Sequence, residues 1–380
     1  MRNQHKSRFE RVKDKRKKVS AEERLYIASQ WQLMWGKFIK NKLAIFGGIV
    51  LVTFYLVGLL CAFFSPYDIH KHSIKYIYCP PQKIHFFDEK GFHLRPFVYG
   101  FNLTKDPVTF RRIYKEDKRE KYPIYFFVGG DEYKLWNLFP ADIHLFGVKR
   151  GAIFLFGTDK LGRDLFSRNL YAARISLSIG LVGVGMSFIL GCILGGISGY
   201  YGGIADIIIQ RVIEFLISIP TIPLWMALSA ALPTQWSPIK IYFGITIILS
   251  LKGWCGLARV VRGKLLELKE EDFTMAAKIA GATDGRVITR HLLPSFLSYL
   301  IVSITLSIPR MILGETTLSF LGLGLRPPVV SWGTLMQHAQ KMGAIALQPW
   351  LLIPGLFVII AVLAFNFLGD GLRDAADPYK

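Results

Sequence analysis

The chain lacks a phosphate cradle. Lysine follows glycine only at Gly36-Lys37 and Gly263-Lys264, and the next residues are Phe38 and Leu265. The GxxxxGK[ST] loop is therefore missing, and this chain does not bind ATP by that motif. Acidic residues are few, 27 against 47 Lys and Arg. No HExxH, no Ser/His/Asp order and no paired intramembrane carboxylates stand out, so no catalytic residue is assigned. Inverted repeats and ionisable midplane residues, expected of a secondary transporter, are not evident either. The four cysteines, Cys61, Cys79, Cys192 and Cys255, show no CxxC spacing and imply neither a disulfide frame nor a zinc site. His70, His72, His85 and His93 have no diagnostic ligand spacing and read as surface or packing residues, so no metal site is assigned.

Apolar residues, by contrast, are abundant. They make up 52% of 380 residues, and the mean hydropathy is +0.34, far more apolar than a soluble core requires. The expected class is an all-α integral membrane protein. A formal charge of +20 could suggest nucleic acid, but the cations concentrate near the start and in connecting loops, which reads as orientation in a bilayer. No nucleic-acid partner is expected.

Residues 1–42 carry 13 Lys or Arg against 4 acids and read as a basic cytoplasmic arm, disordered or lying on the surface. Residues 43–64 are apolar for about 22 positions, enough to cross a hydrocarbon layer of roughly 30 Å. The positive-inside rule places the arm in the cytoplasm and the following section, 65–156, outside. That section is rich in aromatics, and 85–101 reads as two short strands joined at 88–91, where Gly91 permits a tight turn. A folded extracytoplasmic insertion with some β structure is expected.

Five further spans are expected, at about 175–198, 213–232, 241–256, 292–313 and 349–368. The first of them carries a Gly191/Gly195 pair, which allows close helix approach. Pro220 and Pro223 should kink the next. Arg310 is expected to snorkel or to pair with Glu315, with a place on a translocation path as the alternative, and 318–325 reads as a surface-lying or re-entrant helix. Both termini are expected in the cytoplasm.

Ahead of the second span stands GTDKLGRDLFSR. Thr158 or Asp159 can cap a helix there, with Arg163, Arg168 and Arg174 held at the interface. The polar interval 270–294, EEDFTMAAKIAGATDGRVITRHLLP, separates two apolar runs. Asp272 or Thr274 can cap a first helix, and Phe273, Ala276, Ala277 and Ala280 fall on one face of it. Gly281 ends it in a left-handed turn. Thr283 or Asp284 can cap a second helix, with Val287 and Ile288 inward and Arg286 and Arg290 wet, and Pro294 opens the next run.

This interval resembles the EAA loop of ABC-importer permeases. Ala276, Ala277, Gly281, Leu293 and Pro294 match at the right spacing, while Met275 stands where a glutamate is expected and His291 where an isoleucine is. Together with Phe273, Ala282 and Arg290, the match is similar to the AAxxxGA…RHxLP form of the peptide and nickel branch. Gly157, Thr158, Asp159, Gly162, Arg163 and Asp164 match that branch's GTDxxGRDxxSR signature, here architectural. LSFLGLG…PP…WG and GDGLRDxxDP extend the resemblance over 156–379.

The resemblance implies a six-helix permease of the type I ABC importer fold, multi-pass in the bacterial cytoplasmic (inner) membrane. The core would be 157–380, and its coupling helix would dock into a separate ATPase. The partners it implies are membrane lipid, a second, homologous permease, two ATPase subunits that hold ATP and Mg, and an extracytoplasmic solute-binding protein. No cofactor is expected on this chain. The implied cargo is a peptide, with nickel or another small solute as the alternative. A channel or carrier independent of ATPases is the reading from another class.

Overall fold

A computed structural model describes residues 30–89, 91–136 and 138–377, with the side chains of Gln30, Trp31 and Leu33 left out. Most of the expected basic arm lies outside the described residues. Its last part is helix α1, Gln30–Lys40, which packs on the final helix, and Lys37 Nζ donates to the carbonyl of Asp377 at 2.9 Å.

Helix α2, Lys42–Leu59, starts where the Asn41 side chain accepts from Ala44 N, supplying one of the partners a helix start lacks. Its 18 residues span about 27 Å, close to the hydrocarbon thickness. A short helical turn, Cys61–Phe64, follows.

A four-stranded antiparallel meander comes next, with strands in the order β1-β2-β3-β4. β1 is His85–Asp88, β2 Gly91–Lys105, β3 Arg112–Leu135 and β4 Phe139–Val148. The hairpin expected across 88–91 is present, with Asp88 opposite Gly91. β3 is long enough to serve two partners: its first half pairs with β2 and its second half, from Ile124 onward, with β4. Trp136 Nε1 donates to the Leu59 carbonyl, and a ring nitrogen of His144 lies 3.2 Å from the Ala62 carbonyl. The sheet is thereby fastened to the end of α2.

The remaining chain is helical. α3 is Leu165–Tyr201, α4 Gly203–Ser218, α5 Thr221–Ala230 and α6 Pro238–Leu268. After a broken loop come α7, Asp272–Ile279, then α8, Leu297–Phe320, α9, Trp332–Met336, and α10, Ile353–Ala376. Among the described residues, five stretches are long and apolar enough to cross a membrane, and there are six if α4 and α5 count as one span bent by 90°.

Several helix limits differ from the sequence expectation. The segment expected over 213–232 is broken at Ile219 and Pro220, where proline cannot continue the helical ladder. That over 241–256 is part of a 31-residue helix. No proline interrupts it, and Arg259, Arg262 and Lys264, beyond the expected end of the span, lie on the helix where it becomes polar. The helix expected from 292 begins at Leu297, after a break at Phe296. No re-entrant helix forms over 318–325: α8 ends at Phe320, Gly322 turns back at φ +80°, and Leu325 N donates to Ser319 Oγ.

α3 and α6 form the most extensively packed helix pair. The glycines of α3 make this possible: a Cβ at Gly195 would lie 2.5 Å from the Ala258 carbonyl, and one at Gly199 2.7 Å from that of Arg262. Glu315 on α8 is fully buried, accepting from Ser176 Oγ of α3 at 3.1 Å and Ser319 Oγ at 2.7 Å. The expected Arg310–Glu315 pair is not formed, because Glu315 faces α3 while Arg310 is exposed.

Candidate functional site

Two clusters carry the sequence-derived candidates, and the structure keeps them apart. The first joins the segment before α3 to residues 73–82. Thr158 Oγ1 accepts from Cys79 N at 2.8 Å and donates to the Tyr76 carbonyl, while Thr158 N donates to the Cys79 carbonyl. Trp350 Nε1 donates to the Thr158 carbonyl, bringing in the approach to α10. Thr158 and Asp159 do not cap α3. That place belongs to Asp164, whose Oδ2 accepts from both Ser167 N and Ser167 Oγ, at 2.7 and 2.6 Å.

Asp159 instead gathers the arginines. Its carboxylate accepts from Leu161 N, Arg163 N, Arg163 Nε at 2.8 Å and Arg168 Nη1. Arg163 and Arg168 are buried with it rather than left at the interface, so two cations share one buried anion. Burial alone would raise the Asp159 carboxyl. The Arg168 and Arg163 guanidiniums outweigh it and hold the group below the usual carboxylate range. Asp164, completely enclosed, is pushed up to about 6 by burial. This cluster is a buried staple that ties the segment before α3 to residues 73–82.

The second cluster is the loop after α6. The start of α7 lacks a side-chain cap, because Thr274 turns away and donates from Oγ1 to the Leu268 carbonyl at 2.8 Å. At the other end Gly281 adopts φ +82°, with Gly281 N donating to the Lys278 carbonyl and Ala282 N to that of Ala277. That left-handed turn is the expected elbow. Asp284 does not cap by its side chain, since Oδ1 accepts from Tyr200 OH at 2.6 Å, and Lys278 Nζ lies 5.2 Å from the centre of the Tyr200 ring. The loop is thereby tied to the end of α3.

Val287 and Leu292 are fully buried in a small core with Val261, Leu265, Phe296 and Leu300. Ala277, Ala282, Ile288 and Leu293 pack against its rim. Arg286, Arg290 and Pro294 are exposed and His291 is half-buried. Of the face expected on α7, only Ala277 turns toward the protein; Phe273, Ala276 and Ala280 are exposed. With Met275 at 49% and Ile279 at 86% exposure, they make an apolar surface on a helix otherwise anchored through Thr274. Complete burial of a Phe or Ile side chain is worth about 1.5–3 kcal/mol, so this face carries unspent binding energy.

Sequence reasoning missed the residues that fasten these clusters, Cys79, Tyr76 and Trp350 for the first and Tyr200 for the second, since all are remote in the chain. The glycine spacing of α3 was the one signal that pointed toward its contact with α6. Among the described residues no group of three His, Cys, Asp or Glu could hold a metal ion.

Residues 188–379 match the family model described as binding-protein-dependent transport system inner membrane component. The chain belongs to that family. A second model, the N-terminal TM domain of oligopeptide transport permease C, matches 29–81. The dipeptide transport system permease protein DppC of Bacillus subtilis is 41% identical over 229 residues, which cover 59% of this chain and 68% of that protein. The oligopeptide transport system permease protein OppC of Haemophilus influenzae is 40% identical over 244 residues, covering 64% and 74%. Among solved structures, an inward-facing MetNI methionine ABC transporter aligns with 53% of this chain and 93% of its own at 19% identity, with a TM-score of 0.41. As a binding-protein-dependent permease, the chain is the non-catalytic membrane component of an ABC importer that works with ATPase and binding-protein partners. It is a multi-pass membrane protein.

Proposed function

We propose that this chain forms one half of the translocation pathway of an ATP-driven importer for peptides. The observation that carries this reading is the exposed apolar face of α7, Phe273, Met275 and Ile279, on a loop otherwise seated in the protein. An ATPase groove is the surface it fits. Nucleotide closure in the ATPase would push α7, and the tie from Tyr200 to Asp284 would pass the movement to α3. Peptide as cargo rests on the likeness to dipeptide and oligopeptide permeases.

The cytoplasmic side is assigned to this loop, α1 and the end of α10, because Arg259, Arg262, Lys264, Lys269, Lys278, Arg286 and Arg290 cluster there. The sheet of β1 to β4 then faces outward. In this scheme a second, homologous permease completes the pathway, two ATPases hold ATP and Mg, and a solute-binding protein delivers cargo from outside.

The test is reconstitution of the whole complex in liposomes with labelled peptide outside. ATP-dependent uptake that falls at least tenfold in Phe273→Asp, with the complex still extractable, supports the assignment. Uptake by this chain without ATPases overturns it.

A further inference from the structure

Residues Lys252 and Arg310 line one cavity, of about 340 Å³, between α3, the end of α4, α5, α6 and α8. Each lies near the middle of a long apolar helix, Lys252 in Pro238–Leu268 and Arg310 in Leu297–Phe320. Cations at that depth are costly and persist where they serve a pathway or are neutralised. Lys252 is partly compensated: Nζ donates to the Ile217 and Ile219 carbonyls at the end of α4 and lies 3.0 Å from Thr221 Oγ1. Those carbonyls are left unpaired by the break before Pro220, so the ammonium sits at the negative end of a helix dipole.

Arg310 has no such help. Among the described residues it makes no hydrogen bond or ion pair, and no acidic residue lines the cavity. Glu315, one turn further on, is committed to Ser176 and Ser319. The rest of the wall is hydroxyl and apolar, including Ser303, Ser307, Trp225 and Met311. A guanidinium with its donors free, exposed at the wall of an otherwise apolar and hydroxyl-lined cavity, is a receptor for a planar carboxylate.

We infer that Arg310, with Lys252 beside the same cavity, receives the α-carboxylate of the peptide as it crosses this half of the pathway. The apolar and hydroxyl wall then accepts side chains without selecting among them. This inference rests on the proposed function and adds the chemical group the pathway reads. A free C-terminus moves down a positive cavity, whereas a blocked one lacks the anion that offsets the cost of approaching Arg310.

The experiment compares a free-acid peptide with its C-terminal amide in the reconstituted complex. Each is supplied above saturation of the binding protein, so that capture does not set the ratio. The wild type is expected to move the acid about tenfold faster than the amide, the size of one charge-assisted hydrogen bond. Arg310→Gln, which removes no internal bond, should bring the ratio toward one, and Arg310→Lys should restore much of it. A wild-type ratio near one, or an unchanged ratio in Arg310→Gln, overturns the inference while uptake itself leaves the transport assignment standing. No ATP-dependent uptake of either peptide by the wild type sinks that assignment and the inference together.

Discussion

Gly162 lies directly beneath Ser73: a Cβ added to the glycine would overlap the Ser73 carbonyl oxygen. Its φ of +71° also belongs to the left-handed region, where any other residue is strained. Gly162→Ala is therefore expected to destabilise by about 2 kcal/mol or more, from strain and overpacking together. Gly185, inside α3 with open space around it, is the control, and Gly185→Ala should hold or gain up to about 1 kcal/mol. Thermal unfolding in detergent compares the two; equal melting points would contradict the account.

Gly281 makes a different prediction. A Cβ there meets nothing within 4 Å, so only the φ of +82° opposes substitution. Gly281→Val should insert and extract normally, yet displace α7 from its seat. Loss of peptide-stimulated ATPase activity in the reconstituted complex, with basal hydrolysis retained, is the expected result, and full stimulation would remove α7 from the coupling role.

Sidedness is open to labelling. Lys115 on β3 and Glu270 before α7 are both exposed. Lys115→Cys in intact cells should react with a membrane-impermeant thiol reagent, and Glu270→Cys should react only after lysis. The reverse pattern would invert the proposed topology.

Acid should act through three groups, His338, Asp164 and Asp159, whose signs differ. Burial, reinforced by Lys160 and set against Asp159, lowers His338 to about 4, with Arg168 and Arg163 adding to the repulsion. An unfolded histidine titrates near 6.5, so the unfolded state binds this proton first and His338 subtracts stability between about pH 6.5 and 4; Asp164, raised to about 6, binds its proton first in the folded state and adds stability between about pH 6 and 4, opposing it. Asp159 has the sign of a paired carboxylate: its contribution is present above the unfolded value of about 3.9 and is lost as pH falls through the lower folded one. His338→Gln should gain stability relative to the wild type as pH falls from about 6.5 to 4, and a constant difference between the two sets of melting curves would contradict this account. Asp159→Asn leaves two buried arginines without their anion and should cost about 3–5 kcal/mol at neutral pH.

Hydropathy located the apolar segments, and Gly91 and Gly281 announced their turns, because each of these signals is local. The ends of α6 were not legible. Hydropathy falls near 256 while the helical ladder runs on to Leu268, and membrane thickness and helix length are separate quantities. Asp159 was misjudged as a cap for a similar reason. Its burial is supplied by Cys79 and its neighbours, about eighty residues upstream, and no spacing rule reaches that far. Glu315 was matched to Arg310 by nearness in sequence, yet five residues along a helix turn the two side chains to different faces.

The glycine contact between α3 and α6 has one more effect. With backbone pressed on backbone at Gly195 and Gly199, the two helices cannot slide without losing that fit, and they behave as a single strut. Lys252 rides on the same strut that runs into α7. In the proposed scheme a push on α7 would reach the cavity through that strut, and the flexing would be left to the joint at Ile219 and Pro220.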